Sequence, residues 1–328
     1  METAPLFTDE APLGPEDGRA FWLTARDGVR LRAAFWSNAQ TTRGTILCFP
    51  GRTEYVEKYT GAALVFADAG FASLAIDWRG QGLADRLHPD PLLGHVPRFR
   101  DYQHDVAALC ELATSQDLPR PWYVLGHSMG GAIALRAILE GLSVTAAVFS
   151  APMWNLQMTP GLRAVAWSLT WGSRQLGLDD AFAPSTGREP YVLTSTVEEN
   201  RLTSDAASFG FMQDILKAHP ELGLGGPSLR WLHEALKECR MMMAARAPDL
   251  PALTFAGSEE AIVDLEAMRL RMANWPGGSF RLIQEARHEI MLEAPVYREA
   301  AFSAMLDHFE RAHLNAPAAP SVAVSQER

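Results

Sequence analysis

The sequence is poor in cysteine. Among 328 residues there are three, Cys48, Cys110 and Cys239, none within a few positions of another. That spacing excludes the usual paired-cysteine zinc sites and redox motifs. Each thiol reads as a small buried apolar side chain, and such sparse, odd-numbered use fits a reducing compartment. Positive charge is also short: 29 Lys and Arg face 39 Asp and Glu, for a net charge of −10. No basic cluster appears, which argues against a nucleic-acid partner. The same balance gives no electrostatic attraction to anionic lipid, so any membrane contact has to be apolar. Long hydrophobic runs are missing too, since charge or glycine interrupts each one well short of the roughly 20 residues that a spanning helix needs. The opening stretch 1–15 is acidic and proline-bearing, with neither the basic nor the apolar region of a signal peptide. A cytoplasmic protein is expected, at most peripheral at the inner membrane face.

What is present is an ordinary globular composition, 48% hydrophobic and 21% charged. The length suits one large α/β domain with an inserted lid, or two smaller domains. Residues 1–19 read as an irregular leader. The stretch 21–36 reads as a hairpin around Arg26-Asp27-Gly28. Short apolar runs at 44–49, 71–76, 122–125, 144–149, 252–256 and 280–284 predict buried strands. Helical spacing at 55–69, 101–113, 129–139, 265–273 and 297–313 predicts the helices between and after them. This alternation implies a mostly parallel sheet covered on both faces.

One region breaks the rhythm. Between Pro152 and about Pro248 no strand is evident, while Trp154, Trp167, Trp171, Phe211, Met212, Trp231 and Met241-Met242-Met243 supply large apolar groups. The reading is a core over 20–151 and 249–313, interrupted by a helical cap at 152–248. The Ala/Pro/Ser-rich tail 314–328 is expected to be disordered. The Met/Trp content of the cap serves equally well as ordinary core or as the lining of an acyl pocket.

The strongest chemical signal is Gly126-His127-Ser128-Met129-Gly130, followed by Gly131. It lies between the predicted strand 122–125 and the predicted helix 129–139, the context in which G-x-S-x-G forms a sharp turn that lifts a nucleophilic serine clear of the sheet. The strained turn calls for small neighbours. The amide of Met129, at a helix N-terminus, is placed to donate to an oxyanion. A serine hydroxyl needs a base to take its proton. His288, on the loop after the strand 280–284, fits that role; His127 adjoins the serine but should project elsewhere, and His308 and His313 fall in the terminal helix. An acid must orient the histidine, and Glu259, Glu260 and Asp264 compete after the strand 252–256. At least two of them are plain loop carboxylates. A second oxyanion donor is expected from the loop Pro50-Gly51-Arg52-Thr53-Glu54, with the backbone amide of Arg52 the candidate. The Arg52 side chain reads either as a head-group contact or as a plain surface arginine.

With these residues in view, the chain resembles the monoacylglycerol lipase and lysophospholipase group of α/β hydrolases, the serine aminopeptidase S33-like family, over about residues 20–313. The group's H-G-x-G-E lies in register with Pro50-Gly51-Arg52-Thr53-Glu54, and Tyr59 matches a following tyrosine. Its D-x-R-G-x-G appears as Asp77-Trp78-Arg79-Gly80-Gln81-Gly82, and its G-H-S-M-G-G is unchanged at 126–131. The P-G-R-x-E form, with Asn200-Arg201-Leu202-Thr203-Ser204-Asp205 and Leu224-Gly225-Gly226-Pro227, is nearest to bacterial lysophospholipase L2-like proteins. The family acid is an aspartate, and Glu260 stands in register with it, with Asp264 matching a second acid. The resemblance therefore ranks Glu260 first, then Glu259, then Asp264. It implies an α/β-hydrolase fold with a helical cap and a Ser128–His288–Glu260 triad. It also implies an oxyanion hole of Arg52 and Met129 amides and no metal or cofactor. The expected substrate is a single-chain lipid ester, foremost a lysophospholipid, with a monoacylglycerol, a small ester or a thioester as alternatives. A hydrolase-like binding protein without turnover is the remote alternative. Transient contact with a membrane surface through the cap is the one further partner expected.

Overall fold

The computed structural model describes residues 1–9, 11 and 14–315. Strands β1 (Thr3–Ala4), β2 (Arg19–Thr24), β3 (Arg30–Trp36) and β4 (Thr45–Phe49) come first. They are followed by α1 (Thr60–Asp68), β5 (Ala72–Asp77), α2 (Tyr102–Ser115), β6 (Trp122–His127), α3 (Met129–Leu139) and β7 (Ala147–Ser150). Helices α4 (Pro160–Gln175), α5 (Tyr191–Thr194), α6 (Ala206–Ala218) and α7 (Leu229–Ala244) come next. The alternation then resumes with β8 (Ala252–Gly257), α8 (Leu265–Ala273), β9 (Gly278–Ile283) and α9 (Pro295–Asn315).

The strands form one nine-stranded sheet in the order β1-β2-β3-β5-β4-β6-β7-β8-β9. The pairs from β5 to β9 are parallel, and β1, β2 and β3 form an antiparallel edge. The parallel strands are apolar throughout because both faces are covered. In β4, Leu47 and Phe49 pack into a core shared with α2, α3 and α7, while Ile46 and Cys48 pack into one shared with α1 and α9.

Several differences from the sequence reading have local causes. The leader is not wholly irregular: Thr3 and Ala4 pair with Phe21 and Ala20, and the Pro5 carbonyl accepts from the buried Arg32 at 3.1 Å. The helix expected from Tyr55 opens instead with a 3₁₀ turn at Val56–Tyr59. Helix α9 runs to Asn315, and the disordered tail expected beyond it lies outside the described residues from 316 onward. Among the described residues, 151–251 contain no strand, only isolated bridges such as Phe182 with Ser228.

From β4 the chain moves one way to β5, then crosses back to β6 on the other side of β4. Ligand crevices in open parallel sheets form at the carboxyl ends of strands where the order reverses in this way. Here that point joins the loop after β4 to the turn after β6.

Candidate active site

Ser128 sits between β6 and α3 with φ 51° and ψ −119°, a region that L-residues enter only under constraint. The constraint is packing. A Cβ on Gly130 would fall 1.9 Å from the Phe49 carbonyl oxygen, and one on Gly131 2.5 Å from Pro152 Cβ. The start of α3 can therefore lie against the end of β4 only with glycine at 130, and against the loop after β7 only with glycine at 131. The Ser128 amide donates to the Ser150 carbonyl at 3.0 Å, and the Ser128 carbonyl accepts from Met153 at 2.8 Å and Gly131 at 2.9 Å. The turn is fastened on both sides through its backbone, so that its hydroxyl is not needed to hold it.

That hydroxyl meets His288 Nε2 at 2.9 Å, and His288 Nδ1 meets Glu260 Oε2 at 2.7 Å. A carboxylate can only accept, so Nδ1 carries the proton and Nε2 is left to accept from Ser128. The other oxygen of Glu260 accepts from the amides of Ile262 at 2.7 Å and Val263 at 3.2 Å. Burial pushes the Glu260 carboxyl up, but His288 and the two amides overcome it and hold the group below its ordinary value. The competing acids are turned elsewhere. Glu259 is exposed and faces Arg287 at 3.7 Å. Asp264 caps α8 by accepting from Ala267 at 3.1 Å and also accepts from Asn155 at 2.9 Å.

The loop after β4 closes on the serine. A Cβ on Gly51 would come 3.1 Å from that of Ser128. The loop is held by Trp78, which donates to the Pro50 carbonyl at 2.8 Å, and by Gln81, which donates to those of Gly51 at 2.8 Å and Glu54 at 3.1 Å. The amides of Arg52 and Met129 make no hydrogen bond to any described residue, and both residues line the same cavity as Ser128. Thr53 stands where the resembled pattern has glycine, and its φ of 65° carries the strain that a glycine there would avoid.

Beneath the histidine lies a cluster that the sequence reading missed. Lys58 pairs with Glu54, and with Glu289 at 2.8 Å. The same Glu54 accepts from the Gly51 amide, and from Tyr59 at 2.9 Å. The His127 ring packs 4.9 Å from that of His288. Its Nδ1 faces the Ser150 carbonyl at 3.1 Å and its Nε2 faces Glu289 at 3.4 Å. Two acceptors at two nitrogens suit an imidazolium. Burial opposes that charge, yet Glu289 and Glu54 raise His127 above its ordinary value. Burial also works against the Glu289 carboxylate, but Lys58 and His127 hold it well below its usual range. Glu54, His127 and Glu289 have metal-ligand chemistry and spacing, but the Lys58 ammonium already supplies the cation between the two carboxylates. The signal for this cluster was present in Glu289, adjacent to His288, and in His127, adjacent to Ser128.

Two cap segments singled out in the sequence brace the site. Arg287 donates to the carbonyls of Asn200 at 2.9 Å and Thr203 at 3.0 Å, and the Glu289 amide donates to Leu202 at 2.7 Å. Gly225 donates to Leu92 at 2.8 Å, and Gly94 donates to Gly226 at 2.9 Å. The motif Asp77–Gly82 is scaffold: Asp77 accepts from Arg32 at 2.7 Å, Val56 at 2.9 Å and Leu83 at 2.8 Å. The cavity over Ser128 measures about 430 Å³, a volume suited to a small ligand. Met129, Met153, Leu156, Leu232, Ile262 and Val263 form its apolar wall.

A parallel sheet with a strained serine turn hydrogen-bonded to a histidine and an acid from later loops defines an α/β-hydrolase fold of the serine hydrolase class. Solved structures agree on the fold. A monoglyceride lipase from Saccharomyces cerevisiae superposes with a TM-score of 0.71 at 20% identity, over 94% of this chain and 99% of that one. A carboxyl esterase from Bacillus coagulans gives 0.70 at 15% identity, over 90% and 99%. The family model for serine aminopeptidase, S33, matches residues 40–295, and the chain belongs to that family. Lysophospholipase L2 of Escherichia coli is 31% identical over 304 residues, 88% of this chain and 86% of that protein. A monoacylglycerol lipase of Mycolicibacterium smegmatis is 25% identical over 282 residues, 81% and 91%.

Proposed function

We propose that this protein is a lysophospholipase that works through Ser128, His288 and Glu260. The observation that carries the reading is the unbroken chain from Glu260 through His288 to the Ser128 hydroxyl, opening into a mainly apolar cavity. The Ser128 oxygen attacks the ester carbonyl carbon as His288 Nε2 takes its proton. The amides of Arg52 and Met129 hold the oxyanion. The carbonyl–oxygen bond to the glycerol breaks, and that oxygen receives the proton from His288. Water then gives a proton to His288 and adds to the acyl carbon; the bond to Ser128 breaks as His288 returns that proton to the Ser128 oxygen, and the fatty acid is released. Glu260 keeps the histidine in the required tautomer and stabilises the imidazolium.

The similarity to Escherichia coli lysophospholipase L2 favours a lysophospholipid. The monoacylglycerol lipase relative supports a second substrate, the neutral single-chain ester. Access from a lipid surface would run through the cap. Leu162, Val165, Leu169 and Leu176 lie at i, i+3, i+7 and i+14 along and just past α4, and all four are exposed. That stripe borders the buried Ala166, Thr170 and Ser173, and a half-packed, half-bare apolar face of this kind suits an interfacial helix. No helix among the described residues is long and apolar enough to cross a membrane, so the attachment proposed is peripheral. The three free thiols fit a cytoplasmic setting.

The test is fatty-acid release from lysophosphatidylcholine, a monoacylglycerol and a short nitrophenyl ester, with Ser128→Ala alongside. Release from the lysophospholipid, reduced at least about 10⁴-fold in the variant, is expected. Turnover of short esters alone would remove the lipid substrate. Absence of turnover, with no labelling of Ser128 by a fluorophosphonate, would remove the catalytic reading.

A further inference from the structure

The loop after β4 and the cap meet at the side chain of Arg52. Its guanidinium lies 5.4 Å from the centre of the Trp231 ring, and Nη2 donates to the Gly225 carbonyl at 2.5 Å. It has no carboxylate partner among the described residues. Nε is buried without a hydrogen bond, and Nη1 makes none to a described residue.

Other inward-facing arginines are satisfied differently. Arg32 meets Glu57 at 2.6 Å and Asp77 at 2.7 Å, and Arg79 meets Asp27 and Asp105, each at 2.7 Å. Arg86 and Arg271 also lack a carboxylate. Arg86 donates to the carbonyls of Gly80, Gly82, Glu221 and Gly223. Arg271 lies 5.4 Å from the centre of the Trp275 ring with Nε buried without a hydrogen bond, but it donates to the carbonyls of Ala245 and Arg246 and does not line the cavity over Ser128. Arg52 has one carbonyl and an aromatic face, its guanidinium lies against Gly94, and the residue lines the cavity over Ser128. Burial without a counter-charge pushes its guanidinium down to about 10, so it is still a cation at neutral pH. A desolvated cation of this kind is costly until an anion arrives.

We propose that the Arg52 guanidinium receives the phosphodiester of the substrate head group, forming an anion subsite beside Ser128 that favours lysophospholipids over neutral monoacylglycerols. The inference rests on the ester-hydrolase reading above and names the feature of the substrate that the site selects. The Arg52 amide is the candidate donor to the carbonyl oxygen, and its guanidinium lies a side chain's length away, on the side of the loop that meets the cap. The carboxylate of the released fatty acid forms at the amide itself, a side chain's length short of the guanidinium. Ser185, Thr186 and Glu189 also border the cavity; the Thr186 hydroxyl donates to the Ala183 carbonyl at 2.7 Å, and Gly226, next to the carbonyl that Arg52 holds, donates to Gly187 at 2.7 Å. A guanidinium fork is suited to two phosphate oxygens at once.

The experiment compares kcat and KM for a lysophosphatidylcholine and a monoacylglycerol of the same chain in the wild type, Arg52→Met and Arg52→Lys. The ratio of the two kcat/KM values cancels any general disturbance of the oxyanion loop. Arg52→Met is expected to lower that ratio on the order of 10- to 100-fold, the worth of a charge-assisted hydrogen bond. Arg52→Lys is expected to recover part of it, because the charge returns without the fork. As a measurement on the wild type, glycerophosphocholine should compete with a short nitrophenyl ester while glycerol does not. If both substrates fall together in Arg52→Met, or if the two additives behave alike, Arg52 is a latch between loop and cap and the inference is overturned. A wild type that hydrolyses the monoacylglycerol but not the lysophospholipid overturns both this inference and the lysophospholipid reading, whereas turnover of both with an unmoved ratio overturns this inference alone.

Discussion

On the sheet side of the molecule, Arg32 meets Glu57 and Asp77, and Lys58 and His127 meet Glu54 and Glu289. Cations and carboxylates are buried there in balanced sets. On the cap side, α4 leaves Leu162, Val165 and Trp171 at 55%, 61% and 60% exposure, and Arg52 reaches toward Trp231 without a counter-ion. The buried charges beside Ser128 and His288 are paired within the scaffold, which holds the serine–histidine geometry. The cap leaves an apolar stripe bare, and the loop beneath it leaves a cation without a carboxylate, the two features on which the proposed lipid access and head-group contact rest. If the proposals hold, chemistry and selectivity sit on opposite sides of one cavity, and substitutions in the two regions should fail in different ways.

The largest expected effect is on the scaffold side. Glu260→Gln should lower kcat by about 10²–10⁴-fold with the fold intact, measured on a short soluble ester, while Glu259→Gln should stay within about 2-fold, since its arginine contact is exposed. A drop in Glu259→Gln equal to that in Glu260→Gln would show that the geometric distinction between the two acids has no kinetic meaning.

Next, Glu289→Gln should destabilise the protein by about 3–5 kcal/mol, because it takes the carboxylate from His127 and leaves Lys58 with Glu54 alone in a buried site. Thermal melts against pH sharpen the point. The Glu289 carboxyl is held low in the folded state, so its contribution is present above the ordinary carboxylate value and lost as pH falls through the depressed one. The His127 imidazole is held high, so its contribution is complete below about 6.5 and lost as pH rises through the raised value. The wild type should be most stable between these limits, and Glu289→Gln should flatten the curve at both ends. A variant curve parallel to that of the wild type would break the proposed balance of charges.

The smallest effect belongs to the cap. Replacing Leu162, Val165 and Leu169 together by serine should reduce turnover of vesicle-borne lysophospholipid roughly 10-fold, through lost apolar burial at the interface, and leave a soluble ester unaffected. Equal losses on both substrates would make the stripe part of the fold and not a docking face.

Much of this was legible before any coordinates. The alternation of buried strands and helices announced a mostly parallel sheet, because strands covered on both faces must be apolar along their whole length. Gly126–Gly131 announced the turn, because only glycine lets α3 pack on β4 so closely. His288 followed from chain order. The acid was less legible: Glu259, Glu260 and Asp264 crowd one loop, and spacing alone does not separate them. Resemblance ranked Glu260 first, and the backbone separates them physically, with the Ile262 and Val263 amides turning Glu260 toward His288 while the start of α8 occupies Asp264. The charge cluster and the uncompensated Arg52 were not legible as contacts, since Glu54, His127 and Glu289 are far apart in the chain and Arg52 meets a cap residue, Gly225, 173 positions away.

The sequence by itself determined the sheet, the strained serine turn and the histidine, because local patterns and steric requirements write these into short stretches. Only the tertiary structure decided which carboxylate faces His288, which buried charges balance one another and which cation is left facing the cavity. Those outcomes depend on distances between distant segments, which no local pattern in the sequence fixes.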